Sequence, residues 1–140
     1  MGFSFEQLNV YQRALKVAET VSGMAAAFGR GHYLLADEIR RGAFRTCQQI
    51  AAGAGHWPRA EQREAYATAR GVVLEMVPLL ELARRASLLP VEMHESLKNE
   101  LEGIAKMLNG LIRGSDETSG ADALKPPYNT GTGSGRKAAT

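Results

Sequence analysis

The chain has 140 residues, enough for one domain, with 44% hydrophobic but only 6% aromatic residues and a formal net charge of +2. Alanine, leucine and valine must therefore do most of the packing, which favours helices over sheets. So small a positive excess does not by itself mark a nucleic-acid binder. Cys47 is the single cysteine, which excludes an intramolecular disulfide and a thiolate metal cluster. No basic run precedes an apolar stretch, and no window reaches the ~18 apolar residues of a spanning helix, so a cytoplasmic chain without signal peptide or membrane segment is expected.

The first periodic segment runs from Ser4 to Phe28. Ser4 with Gln7 three residues on reads as a capping box. Leu8, Tyr11, Leu15, Ala18, Val21, Ala25 and Phe28 draw an apolar stripe at three- and four-residue steps. Gly29-Arg30-Gly31 ends it with residues that tolerate left-handed backbone. The second segment covers Tyr33 to Ala54, with Leu35, Ile39, Ala43, Thr46, Ile50 and Ala54 on one face; Gly53 and Gly55 mark its end and Pro58 lies just beyond.

The third segment runs from Arg59 to Ser87 with Tyr66, Ala69, Val73, Met76, Leu80 and Ala83 as its stripe. Pro78 removes a hydrogen bond inside it, but the apolar spacing continues to Ala83, which predicts a kink and not an end. Gly71 costs about 1 kcal/mol relative to alanine in mid-helix, which predicts a close helix approach there. Arg84 and Arg85 complement the macrodipole at the C-terminal end. The fourth segment starts at Pro90, a residue suited to a first turn. It continues through Met93, Leu97, Leu101, Ile104, Leu108 and Leu111 to stop at Gly114.

Short connections make successive helices antiparallel. The expected architecture is therefore all-α, an antiparallel up-down four-helix bundle over residues 1–114. From Ser115 on, 13 of 26 residues are Gly, Ser, Thr or Pro, and Leu124 is the only large aliphatic. Such a stretch buries too little to offset the entropy of ordering, so residues 115–140 are expected to form a flexible, disordered tail.

From Ile39 to Ala60 there is no acid, while Arg40, Arg41, Arg45 and Arg59 fall inside, with His56 and Trp57. Between Val91 and Ile112, by contrast, Glu92, Glu95, Glu100 and Glu102 stand against Lys98 and Lys106. The bundle is thus polarised, with a basic second helix and a slightly acidic fourth. Arg41 and Arg45 are four apart and share a face, and the guanidinium fork matches phosphate. The competing reading has these arginines pairing with Glu38, Glu61 or a neighbouring subunit, or simply facing water. Trp57 can stack on a base or cap the core.

For catalysis the signs are negative. His32, His56 and His94 lack metal-ligand spacing and there is no HExxH. Inward Glu-x-x-His pairs of a di-iron bundle are absent, and Cys47 has no evident base. The reading is of a protein that is not an enzyme, with no catalytic residue, no metal and no cofactor.

Leu8-Asn9-Val10-Tyr11-Gln12-Arg13-Ala14, Ile39-Arg40-Arg41-Gly42-Ala43, Ile50-Ala51-Ala52-Gly53, Ala69-Arg70-Gly71 with Glu75, and Lys106-Met107-Leu108-Asn109-Gly110-Leu111-Ile112 stand collinearly along the chain. In that order they resemble the four-helix bundle family encoded in intervening sequences of 23S ribosomal RNA genes, over about residues 3 to 113. The resemblance implies a homopentameric ring. It also brings in a relative, the accessory variability determinant of diversity-generating retroelements, which binds nucleic acid and a reverse transcriptase and performs no chemistry. Where the family tends to have Ser-Ile-Pro-Ser-Asn, this chain has Arg45-Thr46-Cys47-Gln48-Gln49, and Ala52 stands where glutamate is usual. The second helix is accordingly expected to be straighter and more basic than is typical.

A ring would multiply a modest basic patch, and affinity for nucleic acid rises with the number of phosphates neutralised. The leading expectation is an oligomeric accessory protein that binds RNA or DNA through Arg40, Arg41, Arg45, Trp57 and Arg59, as partner of a reverse transcriptase. The alternative is a protein-interaction scaffold that binds no nucleic acid.

Overall fold

The computed structural model describes residues 2–55 and 58–122. A 3-10 turn, Ser4–Gln7, leads into four helices: α1 (Asn9–Ala26), α2 (Tyr33–Gly55), α3 (Arg59–Arg85) and α4 (Val91–Asp122). Each helix packs on its neighbour in sequence, and α1 and α4 close the ring of contacts. The direction of packing follows from individual contacts. Gly42 faces Val72 and Met76, whereas Gly53, further along α2, faces Tyr66, earlier in α3; the two helices are antiparallel. The expected four-helix bundle is the observed fold.

The core is built from Val10, Val17 and Val21 of α1, Ile39 and Ile50 of α2, Val73, Met76 and Leu80 of α3, and Leu97, Leu101, Ile104 and Leu108 of α4, all 4% exposed or less. The α3 stripe is the expected one. On α1 and at its two ends Leu8, Ala18, Val21, Ala25 and Phe28 of the expected stripe are buried, but Val10, Ala14 and Val17 also point inward while Leu15 is 39% exposed. Leu15, three before Ala18, and Val17, four before Val21, both have helical spacing to buried residues, so spacing alone does not choose between them. On α4 His94 takes the inward place and Met93 faces out.

Helix ends differ from expectation in two places. Ser4 does not cap α1; it opens the separate 3-10 turn, and α1 starts after Leu8 with no side-chain cap. α4 passes Gly114 and runs to Asp122, because one glycine costs only about 1 kcal/mol and cannot stop a helix unaided. Residues 115–122 of the tail expected over 115–140 are therefore helical, and the rest of it, 123–140, lies outside the described residues. Elsewhere the turn chemistry agrees: Gly29 and Gly31 adopt φ of 86° and 90°, and α3 continues through Pro78.

The close helix approach expected at Gly71 is elsewhere. A methyl at Gly71 would meet nothing within 4 Å, whereas one at Gly42 would lie 2.7 Å from Met76 Cγ and one at Gly53 2.7 Å from two Tyr66 ring carbons. The glycines that admit a neighbouring helix are on α2. They bring it hard against α3.

Candidate nucleic-acid interface

α2 buries Ala36, Ile39, Ala43, Thr46, Ile50 and Gly53, and the residues between them form its outer face. Arg41 and Arg45 lie there, both exposed. Neither makes an ion pair or hydrogen bond among the described residues. They are separated by one turn, about 6 Å of rise, and project to the same side. The pairing with Glu38 or Glu61 that would neutralise them does not form.

The other predicted arginines are placed differently. Arg40 is half-buried and its Nη1 donates to the exposed Asp37 Oδ1 at 3.2 Å, one turn back on α2, so its charge is locally matched. Arg59 opens α3 at the foot of the bundle, where its Nη1 donates to Gln62 Oε1 at 2.6 Å. Between Arg45 and the end of α2 the helix rises about 15 Å, so Arg59 does not join the pair. Trp57 lies outside the described residues, as does His56. Of the five predicted residues the structure brings Arg41 and Arg45 together on one open face.

A residue that the sequence reading passed over sits with them. Phe44 is 47% exposed, three residues after Arg41 and beside Arg45. The signal was available: Phe44 falls off the apolar stripe, on the face that carries the arginines.

Two other charged clusters are internally paired, whereas the buried Arg70 Nε has no hydrogen-bond partner among the described residues. Glu81 Oε2 accepts from Arg84 Nη2 at 2.7 Å and from Arg85 Nε at 2.8 Å, its Oε1 accepts from Arg84 Nε at 3.3 Å, and the buried His94 Nε2 lies 3.3 Å from the same Oε1. The arginine hydrogen bonds, Arg84's first and then Arg85's, hold the Glu81 carboxyl down at about 2. An open cleft between Arg84, Arg85, Ser87 and Leu88–Val91 adjoins this cluster, but Glu81 already engages both of its arginines. On the opposite side, Arg13 of α1 reaches α4, with Nη2 and Nε donating to Glu100 Oε1 at 3.1 and 3.2 Å.

Neither of the groups most suited to chemistry is activated. Burial pushes the Cys47 thiol up, which favours the unreactive protonated form. Burial also raises the Tyr66 phenol, against the opposing pull of Arg59. Among the described residues no group of three His, Cys, Asp or Glu could hold a metal ion, and no helix is long and apolar enough to cross a membrane.

A family model for the 23S rRNA-intervening sequence protein matches residues 6–110, most of the chain and part of every helix. The chain belongs to this family. No curated protein matches it. As a 23S rRNA-intervening sequence protein it carries the resembling motifs, from Leu8-Asn9-Val10 to Lys106-Met107-Leu108, within the matched span. Arg41, Phe44 and Arg45 fall inside that span too.

Proposed function

We propose that this protein is a non-catalytic, oligomeric accessory protein of the cytoplasm that binds RNA or DNA through the outer face of α2. The observation that carries the reading is the Arg41–Arg45 pair: two guanidinium groups on one face, exposed and without an acidic partner among the described residues. Arg13, Arg84 and Arg85, by contrast, are each paired with a carboxylate. Phosphate is the ligand that such forks fit. A homopentamer repeats the pair around a ring, and a reverse transcriptase of a diversity-generating retroelement is the proposed partner. Both rest on the family resemblance.

The test is binding of labelled RNA and DNA at low salt by the wild type and by the double variant Arg41→Glu/Arg45→Glu, with native mass spectrometry of each. The proposal expects binding that disappears in the variant while the oligomer is unchanged. Failure of the wild type to retain any nucleic acid at low salt rejects it. The proposed partner is tested by co-purification with the reverse transcriptase, if one is encoded beside this gene.

A specific observation favours the scaffold as the second reading. Tyr33, Leu34, Leu82 and Val91 are all more than half exposed, and all stand at the end of the bundle where α2 begins, α3 finishes and α4 begins. Large apolar side chains gathered at one end mark a contact surface, and a neighbouring subunit is the occupant that the proposed oligomer supplies.

A further inference from the structure

We infer that the α2 face is selective for single-stranded nucleic acid, with an unpaired base stacked on the ring of Phe44 beside phosphates held by Arg41 and Arg45. This rests on the nucleic-acid reading above and adds to it the form of the ligand. Phe44 is 47% exposed on a helix whose inward stripe is at most 3% exposed at Ile39, Ala43, Thr46 and Ile50, so its own bundle leaves about half of the side chain open to solvent. It takes no part in the aromatic contacts, which join Phe3, Phe5 and Tyr11.

The spacing makes the three residues one surface. Positions three and four apart on a helix are neighbours, so Phe44 and Arg45 both stand one turn above Arg41. Exposed Gln48 follows one turn further on and extends the face with an amide that can donate to or accept from a base edge.

The chemistry of Phe44 decides between strands and duplexes. A phenyl ring has no donor or acceptor with which to read a base edge in a groove, where recognition runs through hydrogen bonds. In a duplex the base faces are covered by their neighbours. An unpaired strand offers them, and stacking on an aromatic ring is sequence-tolerant because every base has a π-face. Arginines beside an exposed aromatic are the combination that single-strand binders use: charge for the backbone, a ring for the base.

The experiment measures fluorescence anisotropy with a labelled, unstructured single-stranded RNA, the DNA of the same sequence, and the duplex made by annealing a complement. Wild type, Phe44→Leu and Phe44→Trp are compared, and the oligomer of each is checked by native mass spectrometry. The wild type should prefer the single strands. Phe44→Leu should weaken single-strand binding by about 5-fold or more and leave duplex binding unchanged, and Phe44→Trp should restore or tighten it. Equal affinity of the wild type for strand and duplex overturns the inference, as does equal weakening of both by Phe44→Leu; the arginine reading survives either result. A changed oligomer in Phe44→Leu assigns the ring to a subunit contact and also overturns it. If the wild type binds none of the probes, the nucleic-acid reading itself falls.

Discussion

A methyl group added at Gly53 would sit 2.7 Å from both Cδ1 and Cε1 of Tyr66 and 3.2 Å from Cζ. Non-bonded carbons are most favourable at about 3.5–4.0 Å, so either the ring or the helix must give way. Tyr66 is 2% exposed and cannot swing into solvent. Alanine gains roughly 0.5–1 kcal/mol over glycine in a helix, while overpacking a filled core costs roughly 1–3 kcal/mol. The second effect wins, and Gly53→Ala should lose about 1–2 kcal/mol. Gly71→Ala is the matched control: nothing lies within 4 Å of its added methyl, so it should gain roughly 0.5–1 kcal/mol. Both are read from urea unfolding followed by far-ultraviolet circular dichroism, at one protein concentration because association would shift the midpoint. A Gly53→Ala variant as stable as the parent would refute the packing argument. A destabilised Gly71→Ala would show that a second chain covers that face of α3.

Ser87 closes α3 at φ 61°, and its N–H donates to Arg84 O while that of Leu88 donates to Ala83 O, a Schellman ending normally occupied by glycine; Ser87→Gly should stabilise by about 0.5–1 kcal/mol, and a lower thermal midpoint would contradict this. The Glu81 carboxyl is held at about 2, below its usual 4.5, so its contribution is complete above pH 4.5 and fades as pH falls from there toward 2. Urea midpoints of Glu81→Gln should consequently fall less steeply than the parent's across that acid window, and parallel curves would discount the Arg84–Glu81–Arg85 cluster. Leu108→Ala, at a site with 0% exposure, should cost roughly 2–5 kcal/mol in urea unfolding; a loss below that range would mean that the core around it collapses to fill the space.

The bundle was legible because periodicity survives local error. On α3, Tyr66, Ala69, Val73, Met76, Leu80 and Ala83 form one uninterrupted stripe, and the chain buries all six. α1 offered two registers, and only the identity of the facing helices decides between Leu15 and Val17. Gly71 illustrates a limit of another kind. Glycine in mid-helix signals a constraint, but one sequence does not say whether the constraint is packing, and here Gly42 and Gly53 carry the contacts. The site was legible as charge: an acid-free stretch drew attention to Arg41 and Arg45, which proved exposed. It was not legible as geometry. Arg40 turns to Asp37 and Arg59 to Gln62, outcomes that depend on which way each side chain leaves the helix. Phe44 was passed over, although its place off the apolar stripe and next to Arg45 marked it in the sequence.

The packing of α2 and the presentation of its outer face follow from one geometric relation. Gly42 and Gly53 let α2 lie close against Met76 and Tyr66 of α3. Phe44 is two residues beyond Gly42, about 200° around the helix, so the ring stands on the side directed away from that contact. Arg41 and Arg45 lie on one side of it, about 60° and 100° around the helix. The small residues that fix the helix in place therefore also fix the direction in which its charged and aromatic side chains point. A site on an anchored helix keeps its spacing better than one on a loop, and less ordering is required when a ligand arrives. It follows that a bulky residue at Gly42, by tilting α2 away from Met76, would weaken the proposed nucleic-acid binding, read by fluorescence anisotropy, without removing a single positive charge.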